Sequence, residues 1–289
     1  MRGNGVSVVC RSNYNHVLDH GYTFRTRLWG NGSFQPHKVI RANSVARDPA
    51  IEQYDYVILA NKIKSKDDTD QMIRGLRAIV RDDTVLVSTQ NGMGNESALR
   101  QEFAGNTILS SVCNMSCSQS RPGIVEQTAS ITSHAFHLGI HRQGRDTVST
   151  DVRKLESLVA MDSQFCAVAN VHREKWQKLV FNTAWNSVTA IAGTDTHELL
   201  QCPSTTNLVH QIAKEAYCIG VASGIDLEWS SPDDVIELAR RSRPIITSSL
   251  RDAQRGRKVE IHSMTGPFLN RQHMMPSWME GQLTYFQDT

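Results

Sequence analysis

The chain changes texture near Ala169, and this constrains its fold more than any other feature. Before that point, short β-rich runs alternate with amphipathic stretches. Residues 6–10 (VSVVC), 54–60 (YDYVILA) and 84–89 (TVLVST) read as strands of the buried type. Residues 67–80 read as a helix, because Met72, Ile73, Leu76, Ile79 and Val80 recur at helical spacing on one face. Residues 91–103 predict a second helix, entered through a glycine-rich turn, and 108–114, 123–127 and 135–140 predict further strands. Strand–helix–strand alternation implies a parallel α/β sheet, extended by hairpin-like strands. Beyond Ala169 the pattern is helical only, over 175–192, 205–223, 232–240, 248–255 and 266–274. The boundary falls at 167–173 with no Gly/Ser or Pro linker.

Composition narrows the function classes. A length of 289 residues fits two domains. No apolar run reaches the ~20 residues of a spanning helix. Lys plus Arg is 31 against 29 for Asp plus Glu, a net charge of +2, which argues against a dedicated nucleic-acid binder. The six cysteines are scattered without a CxxC pair, and the first five residues hold no apolar signal core. The expectation is a reduced, cytoplasmic protein with no membrane partner.

Four segments carry candidate chemistry. In 174–193, Lys178, Asn182 and Asn186 fall at i, i+4, i+8 and share a helix face. Such a face reads either as a solvated polar stripe or as a lysine acid with two amides that hold a small polar substrate. In 248–260, Ser248 lies one helix length before Glu260, which follows Arg255, Arg257 and Lys258. That reads either as surface charge balance or as a carboxylate in a binding site. QNGMGN at 90–95 follows a strand, where glycines permit a tight turn and α/β folds bind ligands. Asn61 and Lys62 follow the strand at 54–60 in the same way. Arg11 ends the strand at 6–10, where an arginine accommodates a 2′-phosphate in dinucleotide folds. His134, His137 and His141 suggest a metal by spacing, but a strand pair would turn His134 and His137 to opposite faces, so no metal is expected. Cys113 and Cys117 lack the second pair a zinc site needs.

Together these segments resemble the ketopantoate reductase (2-dehydropantoate 2-reductase) family. The resemblance runs from Val6 to about Gly266 through VVCRSNY, DYVILANK, QNGMGNE, SVCNMSCS, PGIVEQ, HAFHLGIH, KWQKLVFNTAWNSVTA and SSLRDAQRGRKVEI, and is nearest to fungal members. It implies a Rossmann-like NADP-binding domain at 1–168 and an all-α substrate and catalytic domain at 169–289. The implied reaction is NADPH-dependent reduction of 2-dehydropantoate, or of a related 2-keto acid. Lys178 would be the general acid, with Asn182, Asn186, Ser248 and Glu260 binding substrate. Arg11, Lys62, Asn91 and Glu260 would bind NADP(H). The reading allows a homodimer.

One departure stands out. The family opens with a strand and a GxGxxG turn that cradles the pyrophosphate. Here Gly3-Asn4-Gly5 precedes its strand instead of following one. The reading therefore predicts that the first βα unit, about 25–30 residues, is missing. The strands at 6–10 and 54–60 would then pair with each other or leave backbone groups unsatisfied. A second reading follows: a catalytically impaired reductase-like protein that binds a small acid or a protein partner.

Overall fold

A computed structural model describes residues 5–45, 52–130, 132–142, 148–227 and 231–269. The expected helix at 266–274 passes out of this range after Leu269. The chain divides into two compact units: Met1–Ala60, Asp67–Thr89 and Glu96–Ala169 form the first, and Asn61–Lys66, Gln90–Asn95 and Asn170–Thr289 form the second.

The first unit runs β1 (Ser7–Cys10), α1 (Tyr14–His20), β2 (Tyr22–Arg25), β3 (Asn31–Phe34), β4 (Lys38–Arg41), β5 (Tyr56–Leu59), α2 (Lys66–Leu76), β6 (Val85–Ser88), α3 (Asn95–Glu102), β7 (Ile108–Cys113), β8 (Met115–Arg121), β9 (Ile124–Ser130), β10 (Phe136–Ile140), α4 (Ser149–Val159) and β11 (Phe165–Ala167). The main sheet has the order β11-β10-β7-β6-β5. Its strands β5, β6 and β7 are parallel, while β10 is antiparallel to β7. Every residue of β6 is buried, because both sheet faces are covered. Leu86 faces a cluster with Leu59, Leu76 and Leu99. Val85 and Val87 face the opposite cluster, with Leu155 and Leu158 of α4.

The structure differs from the sequence expectation at several points. Strand β1 takes β4 as its parallel partner and β5 takes β6, so the strands at 6–10 and 54–60 do not pair with each other. The KVIR of β4 supplies that partner, placing Ile40 in the same core as Leu59. Val9 and Ile58 are left 53% and 55% exposed. A second sheet, β3-β2-β9-β8, takes in strands at 22–34 that the sequence did not announce. Helix α3 starts at Asn95, later than expected, because Gly92 and Gly94 hold φ of +81° and +86°. His134 lies in the bend ahead of β10, not on a strand, so the opposite-faces argument does not apply to it.

The second unit is helical: α5 (Val171–Ala192), α6 (Thr196–Leu200), α7 (Pro203–Ala222), α8 (Asp233–Arg241), α9 (Ser248–Gln254), α10 (Ile261–Met264) and α11 (Gly266–Leu269). The side chain of Asn170 caps α5 by accepting the Arg173 N–H at 3.0 Å. Gly193 closes the helix at φ +73°. Helix α5 is buried along much of its length, with polar Lys175, Thr183, Asn186 and Thr189 among its buried residues. Its Trp176, Leu179, Val180, Ala184 and Trp185 pack with Val209, Ala213 and Ala216 of α7 and Val235 and Ala239 of α8. Among the described residues, no helix is long and apolar enough to cross a membrane.

Candidate functional site

The second unit gathers seven of the eight sequence-chosen residues. Lys178 and Asn182 are half-buried on α5 and Asn186 is buried, so this face is not a solvated stripe. Lys178 Nζ donates to Asn91 Oδ1 at 2.8 Å. A neutral amide oxygen orients the ammonium without cancelling its charge. Asn91 is in turn held by its own loop, because Asn95 Nδ2 donates to its backbone carbonyl at 2.9 Å.

The 90–95 loop is also fixed from the other side. The Met93 N–H donates to the Ser263 carbonyl of α10 at 3.0 Å. Gly92 packs so closely there that an added Cβ would lie 2.2 Å from that carbonyl oxygen. Helix α10 is tied to α5, since Thr183 Oγ1 donates to the Met264 carbonyl at 3.2 Å. Asn182 Nδ2 reaches Met264 Sδ at 3.9 Å. Among the described residues, Asn186 Nδ2 and Ser263 Oγ are buried without a hydrogen-bond partner. Each such group costs about 1–3 kcal/mol when left unsatisfied, so both are hydrogen-bonding capacity held unused.

A cluster of charges forms the other part of the site. Lys62 Nζ makes a short contact with Asp252 Oδ2 and lies 3.5 Å from Glu260 Oε2. The two carboxylate side chains are only 9% and 6% exposed, against 38% for Lys62. Burial pushes the Glu260 carboxyl above its ordinary range, Lys62 and Lys64 oppose this, and Asp252 adds to it. Gln90 Nε2 donates to the Asn61 backbone carbonyl at 3.0 Å and so links the 61–66 and 90–95 segments. Ser248 begins α9, just past Thr247, whose Oγ1 accepts the Leu250 N–H at 3.2 Å.

Arg11, the eighth, belongs to the first unit and is exposed in the bend after β1. Two residues escaped the sequence reading. Asp252 was legible in principle, because it lies four residues after Ser248 on the same helix face. Ser263 carries no sequence signal.

An α/β unit is followed in sequence by a helical unit with an amide-held lysine, and comparison with known proteins assigns this architecture to a family. The family model "Ketopantoate reductase PanE/ApbA" matches residues 2–143, and "Ketopantoate reductase PanE/ApbA C terminal" matches 170–273. The 2-dehydropantoate 2-reductase of Halobacterium salinarum is 25% identical over 262 residues, covering 88% of this chain and 83% of its own. The crystal structure of 2-dehydropantoate 2-reductase from Geobacter metallireducens superposes with a TM-score of 0.78 at 22% identity, over 94% of this chain and 87% of that one. A D-mandelate dehydrogenase solved with NADH and anilino(oxo)acetate gives a TM-score of 0.76 at 16% identity, over 95% and 86%. The chain belongs to the ketopantoate reductase family. Its fold is that family's, a Rossmann-like unit with a helical C-terminal unit, and the family is one of pyridine-nucleotide-dependent oxidoreductases.

Proposed function

We propose that this protein reduces 2-dehydropantoate, or a related 2-keto acid, with NADPH, and that Lys178 is the general acid. The contact of Lys178 with Asn91 carries the reading, because it aims a charged donor from a half-buried helix face that also bears Asn182 and Asn186. Lys178 would give its proton to the keto oxygen. Asn182, Asn186 and Ser248 would hold the acid, and the unpaired Nδ2 of Asn186 is free to do so. Glu260 would orient substrate and a ribose hydroxyl.

The residues present suit a phosphorylated nucleotide. Arg11 is exposed, Asn91 and Glu260 offer ribose partners, and the α-carbon of Gly94 has no atom within 4 Å of where a Cβ would stand. Arg11 and Lys62 would face its phosphates, and the bound nicotinamide would supply the hydride. On this reading residues 1–168 are the nucleotide-binding part and 169–289 the substrate and catalytic part. A homodimer and a cytoplasmic location go with it.

The test is loss of reduced-nicotinamide absorbance with NADPH and 2-dehydropantoate. Turnover is expected, and Lys178→Ala should lower kcat at least ~100-fold. A near-wild-type Lys178→Ala removes the assigned role. A folded protein that gives no calorimetric signal with NADPH would be a non-catalytic binder of a small acid or a protein.

A further inference from the structure

Glu260 feels charges from two elements. The 61–66 segment brings Lys62 and Lys64, and α9 brings Asp252. Two buried carboxylates thus share the Lys62 ammonium, and they share it unequally. Asp252 has the short contact, while Glu260 stands at 3.5 Å. A buried ion cluster is weak evidence of stabilisation, since desolvation offsets much of the attraction. It is stronger evidence of a fixed geometry. Asp252 also stands one helical turn beyond Ser248, and its backbone carbonyl accepts the Arg255 and Arg257 N–H groups at 3.1 and 2.8 Å. Its position is therefore set by the chain that leads to Glu260.

We propose that Asp252 is a positioning residue of the reductase site, which draws the Lys62 ammonium to itself and so limits the positive charge that Glu260 feels. Its consequence for turnover rests on the reductase reading above; the sharing of charge does not. With Asp252 neutral, Lys62 passes to Glu260 and one negative neighbour disappears. Both changes favour the ionised form of Glu260.

The experiment is a carbon-13 NMR titration of glutamate carboxyls in the full chain, with the Glu260 signal assigned by its loss in Glu260→Gln. Asp252→Asn should lower the Glu260 midpoint by about one pH unit or more, in keeping with the effect of a charge within a few ångströms. Asp252→Glu should restore it, and Lys62→Met should raise it. An unmoved midpoint in Asp252→Asn overturns the proposal, as does a failure of Asp252→Glu to restore it. If Asp252→Asn does not fold, an unmoved midpoint in Lys62→Met does the same. In an active enzyme the acid limb of kcat/KM should move with the midpoint, a shift that a purely structural role would not produce. Absence of turnover in the wild type would refute the reductase reading and leave the titration to decide the charge sharing.

Discussion

Gly92 and Gly94 allow one contact to be weighed against a built-in control. Both hold positive φ, +81° and +86°. An L-residue in that region costs about 1–2 kcal/mol. Replacing glycine by alanine also removes freedom from the unfolded chain, which returns about 0.4–1 kcal/mol. Gly94→Ala meets nothing within 4 Å, so it should destabilise by only about 1 kcal/mol. In Gly92→Ala the new Cβ meets Ser263 O at 2.2 Å and Ser263 C and Cβ at 2.6 Å. These are backbone and near-backbone atoms, so α10 or the loop must move. Overpacking of that kind adds about 1–3 kcal/mol, and loss of the Met93–Ser263 hydrogen bond adds about 1 kcal/mol. Gly92→Ala should therefore be worse than Gly94→Ala by at least ~2 kcal/mol. Urea unfolding followed by tryptophan fluorescence suits the measurement, since Trp176 and Trp185 report from the core that α10 and α11 help to close. Equal destabilisation by the two substitutions would refute the reasoning. Shifting the loop also moves Asn91 from Lys178, so kcat should fall in Gly92→Ala.

Other outcomes follow from single groups. Asn106 Nδ2 donates to the Arg81 and Thr84 carbonyls at 2.6 and 2.9 Å. Asn106→Ala strips both acceptors of this donor and should lower unfolding stability by about 2–3 kcal/mol; a change under ~0.5 kcal/mol would show that water replaces the amide. Burial raises the Glu215 carboxyl above its ordinary value of 4.5. A raised folded-state value means that the contribution of this group to stability is complete below the ordinary value and is lost as pH rises through the folded-state value. Glu215→Gln should therefore raise the urea midpoint at neutral pH, with the gain vanishing in acid; a gain independent of pH would count against burial as the cause.

Legibility in the sequence tracked how many faces an element buries. Strand β6 was plain because VLVS is covered on both sides. Strands β2 and β3 were not, because YTFR leaves alternate side chains exposed and NGSF three of its four, and β2 gains its order from β9, a hundred residues away in the chain (Arg25 pairs with Glu126 across 101 positions). Helix α5 and its Lys178, Asn182 and Asn186 spacing were legible because helical periodicity is local. The meeting of Lys178 with Asn91 was not a matter of spacing, since 87 positions separate them. Lys62 and Asp252 are 190 positions apart, so the sharing of one ammonium by two carboxylates could only come from the folded chain.

The membership of Asn61–Lys66 and Gln90–Asn95 in the helical unit has a consequence for how this architecture can be taken apart. Both short segments are flanked on each side by residues of the first unit, so the second unit is not a continuous stretch of chain. A cut after Ala169 yields a fragment with Lys178, Asp252 and Glu260 but without Lys62 or Asn91. Its two buried acids lose their shared cation, and its lysine loses the amide that aims it. Exchange of C-terminal halves between relatives would therefore transplant an incomplete site, unless the two six-residue loops travel with them.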